Sequence, residues 1–69
     1  MDISIVILNW NGLEFLRKCI PSIITAVEAY ENNCEVILLD NGSSDQSIDY
    51  VKSNFSKIQM AAISPPFLP

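Results

Sequence analysis

The sequence predicts an α/β fold with the element order β-α-β-α-β and a three-stranded parallel sheet. Two short apolar runs, at positions 3–8 and 35–39, each stop at a polar turn, which is typical of buried strands. Between them, apolar residues recur at intervals of three and four, as on one face of a helix. A strand, a helix and a second strand joined by short connections specify a parallel pair with a right-handed crossover.

The first run is rich in β-branched residues and almost continuously apolar. This composition predicts a strand that is buried on both faces, as parallel sheets require. Asn9, Trp10, Asn11 and Gly12 follow, and they favour a loop because Asn side chains hydrogen-bond nearby backbone and Gly adopts positive φ. We therefore expect a polar loop at the carboxyl end of the first strand.

The helical segment carries a proline. Pro21 lies within the apolar repeat, where its ring removes one hydrogen bond and clashes with the carbonyl of Arg17. We expect a kink or a break near Ile20, and a helix in two parts that ends by Tyr30. The apolar face consists of Leu13, Leu16, Ile20, Ile23, Ile24 and Val27.

The second run ends at Asp40, and a turn rich in Asn, Gly and Ser follows at once. Open α/β sheets bind ligands at such strand ends, so this junction is the first candidate site. A second helix is predicted over about 46–54. Ser43 and Gln46 fit a capping box, and Ser44 or Asp45 are alternative N-caps. Each choice predicts free backbone N–H groups beside the strand end, where an anion can bind.

Residues 57–63 predict a third strand, and the chain then becomes proline-rich. The three prolines of residues 64–69 remove hydrogen-bond donors and fix φ, so that segment continues neither a helix nor a strand. The predicted organisation is one incomplete α/β unit over residues 1–63 and a Pro-rich irregular tail over 64–69.

Composition excludes several classes of function. A hydrophobic fraction of 49% with 17% charged residues indicates a globular core, and a net charge of −4 argues against a nucleic-acid partner. No apolar run reaches the ~18 residues of a membrane span. Cys19 and Cys34 are too few for a disulfide scaffold, which predicts reduced cysteines and a cytoplasmic chain. The chain has no His, which excludes a His-based metal site or acid/base pair.

Two segments together resemble a known family. Residues 4–12 and 35–45, separated by one amphipathic helix, are similar to the start of a family 2 glycosyltransferase with the GT-A fold, which makes the chain a partial Rossmann-like unit. The resemblance covers residues 2 to about 58. Within the family, the chain most resembles the rhamnosyltransferase-like branch. The second strand of that branch ends in Asp-Asn-Gly-Ser, which this chain has at positions 40–43.

The resemblance implies a nucleotide site at the two strand ends. The loop after the first strand packs against the base and ribose, and Asp40 accepts a hydrogen bond from the base. A carboxylate only accepts, which suits the N–H of a pyrimidine ring. The residues alone leave other roles open: Trp10 as a packing aromatic, Asp40 as a turn former and Asp45 as a helix cap. The implied nucleotide-binding residues are Asn9, Trp10, Asn11, Asp40, Asn41 and Ser43.

The resemblance also implies an activity. It is the transfer of a sugar, hexosyl or rhamnosyl, from a UDP- or dTDP-linked donor to a saccharide or lipid-linked acceptor in polysaccharide biosynthesis, in the cytoplasm or at the membrane periphery. The full-length family uses a divalent metal, Mg²⁺ or Mn²⁺, held by an Asp-x-Asp that this chain lacks. We therefore predict no catalytic and no metal-binding residue here. Residues 63–69 suggest a truncated or frame-shifted product that is inactive alone.

A second hypothesis belongs to another class of function. A lone three-stranded sheet has uncovered edges and apolar faces, and such surfaces pair with other chains. The chain would then be a non-catalytic fragment that self-associates or binds a partner. A different doubly wound nucleotide binder is a third hypothesis, which the absence of G-x-G-x-x-G and G-x-x-x-x-G-K disfavours.

Overall fold

The computed structural model describes residues 2–30 and 33–63, and it confirms the predicted order of elements. Met1 and the predicted tail, residues 64–69, lie outside the described residues. The third strand is shorter than the predicted 57–63. The elements are β1 (Ile3–Asn9), α1 (Leu13–Ala29), β2 (Cys34–Asp40), α2 (Ser47–Asn54) and β3 (Gln59–Ala62).

The three strands form one parallel sheet, as predicted, and their spatial order is β1-β2-β3. The register between β1 and β2 pairs Ile3 with Cys34 at one end and Asn9 with Asp40 at the other. On the other side of β2, Asp40 is paired with Ala62. The carboxyl ends of all three strands therefore meet at one edge of the sheet, which we call the carboxyl edge.

The core lies between the two helices and one face of the sheet. Side chains alternate between the faces of a strand, so Val36 and Leu38 of β2 point to the same side. Both are buried, and Leu38 is 0% exposed. Ile5 and Ile7 of β1 pack against them from the neighbouring strand. The buried core residues are Leu16, Ile20, Val36, Leu38, Val51 and Ile58.

The opposite face of β1 is open, and the prediction that this strand is buried on both faces is wrong. Val6 is 55% exposed and Leu8 is 60% exposed. The reason is that α1 and α2 both contribute to the core on one side of the sheet, through residues such as Leu16 and Val51. We call the other side, which carries Val6 and Leu8, the open face.

Pro21 does not divide the first helix, so the predicted two-part helix is wrong. The helix α1 is assigned as one unit of 17 residues with Pro21 inside it. Pro21 is exposed, whereas Ile20 before it is fully buried and Ile23 after it packs on the core. Core contacts therefore hold the helix on both sides of the proline. The helix ends as predicted, because Tyr30 is its C-cap and donates its N–H to the carbonyl of Val27.

Candidate functional site

The candidate site is the carboxyl edge, where the register brings Asn9 beside Asp40. The loop after β1 and the turn after β2 leave the sheet next to each other, and the backbone N–H of Asn41 donates to the carbonyl of Asn9 at 2.8 Å. Side chains that are 31 positions apart in the sequence therefore meet at this edge.

Asp40 is the centre of the turn that follows its own strand. Its Oδ1 accepts the side-chain amide of Asn9 at 2.9 Å and the hydroxyl of Ser43 at 2.6 Å. Its Oδ2 accepts the backbone N–H of Ser43 at 2.9 Å. The residue is only 7% exposed. The turn-forming role that the sequence left open for Asp40 is therefore present, and its contact with a base stays a prediction.

The surroundings of Asp40 favour its ionised form. Burial of the carboxylate acts to raise its pKa, but hydrogen bonds from the hydroxyl and N–H of Ser43, the amide of Asn9 and the N–H of Gly42 together outweigh burial. The pKa of Asp40 is therefore lower than that of an ordinary aspartate. At neutral pH the carboxyl edge carries a fixed negative charge that can only accept hydrogen bonds.

Asn9 is buried, with 3% of its surface exposed, and it joins three segments. Its Nδ2 lies 2.9 Å from Asp40 Oδ1, 3.1 Å from Ser43 Oγ and 2.9 Å from Ser47 Oγ. Its Oδ1 accepts the backbone N–H of Gly12 at 3.1 Å. A Cβ at position 12 would lie 2.6 Å from that same oxygen, so the close approach requires glycine.

Asn11 fastens the first loop to the second. It adopts a left-handed backbone conformation, with φ of 51°, which asparagine tolerates better than most residues. Its Oδ1 accepts the N–H groups of Ser44 at 2.7 Å and Asp45 at 3.2 Å. Its own N–H donates to the hydroxyl oxygen of Ser43 at 2.9 Å. The two loops therefore form one hydrogen-bonded unit.

Asp45 links the starts of both helices. Its Oδ2 accepts the N–H of Leu13 at 3.2 Å, and its Oδ1 accepts the N–H of Ser47 at 3.0 Å and the Ser47 hydroxyl. The hydroxyl of Ser47 is the main cause that lowers the pKa of Asp45, against a smaller opposing effect of burial. A negative charge at helix N-termini is stabilising, so Asp45 does the capping work that the sequence left open.

The capping box that was predicted at the start of α2 is wrong. The N-cap of α2 is Gln46, without a side-chain hydrogen bond to the cap, so no capping box forms. The Ser43 hydroxyl is used instead by Asp40, Asn9 and Asn11. Side chains of the chain itself occupy some of the N–H groups that were predicted to be free. The N–H groups with such acceptors are those of Gly12, Leu13, Ser44, Asp45 and Ser47.

The remaining predicted residues differ in what they can offer a ligand. Trp10 is 49% exposed beside the edge, so part of its ring surface is available for stacking. Asn41 is 1% exposed and lies beneath the turn, where it can shape the turn but cannot present its side chain to solvent. Their contact with a nucleotide stays a prediction.

Sequence reasoning missed Ser47 and Lys52. Ser47 is fully buried and connects Asn9 to Asp45, and its position at the start of a predicted helix was the available signal. Lys52 lies one helical turn after Ile48 and lines an open pocket of about 300 Å³ between α2 and the end of β3. The lining residues of this pocket are Asp40, Ile48, Lys52, Met60, Ala61 and Ala62.

The described residues do not fit the divalent metal that the resemblance implies. Hard cations are held by several oxygen ligands, most often carboxylates. Within residues 2–30 and 33–63, no group of three or more His, Cys, Asp or Glu residues lies together. The carboxylates of Asp40 and Asp45 instead accept N–H and O–H donors. In the same part of the chain, no helix is both long and apolar enough to cross a membrane.

The chain is similar to a known protein family over most of its length. Residues 4–62 match the model of one protein family, described as Glycosyl transferase family 2. The match begins in β1 and ends with β3, so it includes both strand ends and both loops of the carboxyl edge. The comparison with curated proteins gives no match.

Proposed function

This chain belongs to glycosyl transferase family 2, and we propose that it supplies the nucleotide-recognition half of a sugar-transfer site. The observation that carries the proposal is the pairing of Asn9 with Asp40 at the carboxyl edge, which puts a buried, ionised carboxylate at the end of a central strand. Ligands of open α/β sheets bind at this edge.

The proposed ligand is a nucleotide with a uracil or thymine base. The Asp40 carboxylate accepts the ring N–H, since it has no proton to donate at neutral pH. Trp10, which is half exposed, provides a flat apolar surface for the base or ribose. Asn9 and Asn11 hold the facing loop, and Asn41 and Ser43 shape the turn beneath the nucleotide.

The finer assignments follow the sequence resemblance. The donor is a UDP- or dTDP-linked sugar, the transferred group is a hexosyl or rhamnosyl unit, and the acceptor is a saccharide or lipid-linked saccharide of polysaccharide biosynthesis. The rhamnosyltransferase-like branch is the proposed subgroup, and the cytoplasm or the membrane periphery the proposed location. Residues 1–63 form the proposed nucleotide-binding part, which recognises the donor without catalysing transfer by itself.

The test is a titration of the isotope-labelled 69-residue chain with UDP and with dTDP, followed by backbone amide shifts. We expect saturable shifts at Trp10 and Asp40 at millimolar nucleotide. Trp10→Ala should weaken binding, whereas Ser4→Ala should leave it unchanged, because Ser4 lies at the opposite end of β1, where its hydroxyl donates to Glu35. Shifts that are absent from the carboxyl edge at millimolar nucleotide would refute the proposal.

The open face supports a second candidate function, the association of two copies of the chain. Val6 and Leu8 are more than half exposed on one strand, and apolar surfaces of this kind mark interaction sites. Sedimentation velocity over a range of chain concentrations tests it. We expect a dimer that Val6→Lys abolishes, and that added salt strengthens because each copy carries a net charge of −4. A monomer at all concentrations would refute this candidate.

A further inference from the structure

We infer that Asn9 is a positioning residue for Asp40 and makes no contact with the nucleotide through its own side chain. The inference rests on the proposed function, since it assigns Asn9 a role in the same site. It replaces the simpler expectation that every polar side chain of the first loop faces the ligand.

The amide nitrogen of Asn9 has no donor left for a ligand. An asparagine amide carries two N–H donors, and three acceptors surround the nitrogen of Asn9 within 3.1 Å. These acceptors belong to Asp40, Ser43 and Ser47, which lie at the end of β2, on the turn after it and at the start of α2. The residue is 3% exposed, so a ligand could not reach the nitrogen without opening this cluster.

The amide oxygen of Asn9 fixes the orientation of the group. It accepts the N–H of Gly12, and the missing Cβ of Gly12 is what allows the approach. A flipped amide would place N–H groups toward the N–H of Gly12 and an oxygen toward Asp40 Oδ1, so both ends would be repelled. The observed orientation is therefore the one in which Asn9 donates to the carboxylate.

As a consequence, one oxygen of the Asp40 carboxylate is occupied by hydrogen bonds within the chain. Asp40 Oδ1 accepts both Asn9 and the Ser43 hydroxyl, whereas Oδ2 accepts the Ser43 N–H. We assign Oδ2 as the oxygen that receives the ring N–H of the base. Asn9 thus influences nucleotide binding indirectly, because it fixes the orientation of the Asp40 carboxylate and favours its charged form.

The decisive experiment compares Asn9→Asp with Asn11→Asp. Both changes convert an amide to a carboxylate at the carboxyl end of β1 or in the loop after it. Among the residues that the structure describes, however, the Asn11 side chain is bonded through its oxygen, which accepts two N–H groups. Asn9→Asp removes the donor to Asp40. We expect it to raise the pKa of the Asp40 carboxyl, read from carboxyl ¹³C shifts, clearly more than Asn11→Asp does. We also expect it to weaken UDP binding by at least about tenfold.

Equal effects of the two variants on the Asp40 titration would overturn the inference. A measurement on the unmodified chain covers the case in which Asn9→Asp does not fold. The side-chain ¹⁵N and ¹H signals of Asn9 should then shift with the same midpoint as the Asp40 carboxyl when the pH is lowered. Asn9 signals that do not follow Asp40 would overturn the inference as well.

The outcomes separate this inference from the proposed function. If Asn9 and Asp40 titrate together but UDP produces no shift at the carboxyl edge, the proposed function fails and the positioning of Asp40 by Asn9 stands. If UDP binds with the same affinity to the unmodified chain and to a folded Asn9→Asp variant, the inference fails and the proposed function stands.

Discussion

The carboxyl edge and the open face are two surfaces of the same sheet, and they are built in opposite ways. At the carboxyl edge, polar side chains such as Asn9 and Asp40 are buried and satisfied by one another. On the open face, apolar side chains such as Val6 and Leu8 are exposed. Both surfaces are formed by β1 and β2.

The difference indicates which kind of partner each surface can bind without first ordering its own side chains. The carboxyl edge is held by hydrogen bonds between two loops, so its groups are already oriented when a ligand arrives, which lowers the cost of binding. The open face presents exposed apolar area, and the polar side chains at its amino end, Ser4 and Glu35, bond to each other. The first is suited to recognition of a small ligand and the second to burial against another surface.

The largest effect that we expect is a difference in stability between substitutions on the core face of the sheet and substitutions on the open face. Leu38→Ala should lower the free energy of unfolding by about 3 kcal/mol, because Leu38 is fully buried. Leu8→Ala, the same substitution on a side chain that is 60% exposed, should cost less than about 1 kcal/mol. Urea denaturation followed by circular dichroism measures both. Similar losses for the two variants would mean that Leu8 is buried in solution.

The next effect tests the carboxyl edge. Asp40→Ala should lower the free energy of unfolding by about 2 kcal/mol, because it leaves the buried amide of Asn9 and the N–H of Ser43 without their acceptor. Asp45→Ala is the matched control, since it removes a carboxylate from an exposed position and should cost about 1 kcal/mol or less. An Asp40→Ala variant as stable as the unmodified chain would contradict the described network.

A smaller effect appears on acidification. Because the pKa values of Asp40 and Asp45 are lowered in the folded chain, the unfolded chain binds more protons in the acid range, and stability rises with pH there. The urea midpoint should be level down to about pH 5 and fall below about pH 4, near the unfolded aspartate pKa. Asp40→Asn should reduce that fall. A midpoint that rises on acidification would contradict the assigned directions.

Much of the fold could be predicted because its signals are local. The apolar runs locate β1 and β2 to within one residue at each end, and the turn residues locate both loops. The exposure of one face of β1 was not predictable, since a continuous apolar run does not indicate whether helices pack on one face of a strand or on both. The continuity of α1 through Pro21 depends on packing that is likewise not visible in the sequence.

The meeting of the two strand ends was predictable, but the hydrogen-bond network between them was not. Asn9 and Asp40 were expected on facing walls, and the register puts them side by side. Their hydrogen bond, and the use of Ser43 and Asp45 to cap loops and helices, depends on contacts between residues more than thirty positions apart. Short polar residues suit turns, caps and ligand contacts equally, so sequence alone could not separate these roles.

The most direct test of the account compares UDP with N3-methyl-UDP, which lacks only the ring N–H that Asp40 is proposed to accept. Both are titrated into the unmodified chain while the amide signals of Asp40 and Trp10 are followed. The account predicts saturable shifts at both residues with UDP, and loss of the Asp40 shift with the methylated nucleotide. Equal shifts with the two nucleotides, or no shift with UDP at millimolar concentration, would contradict it.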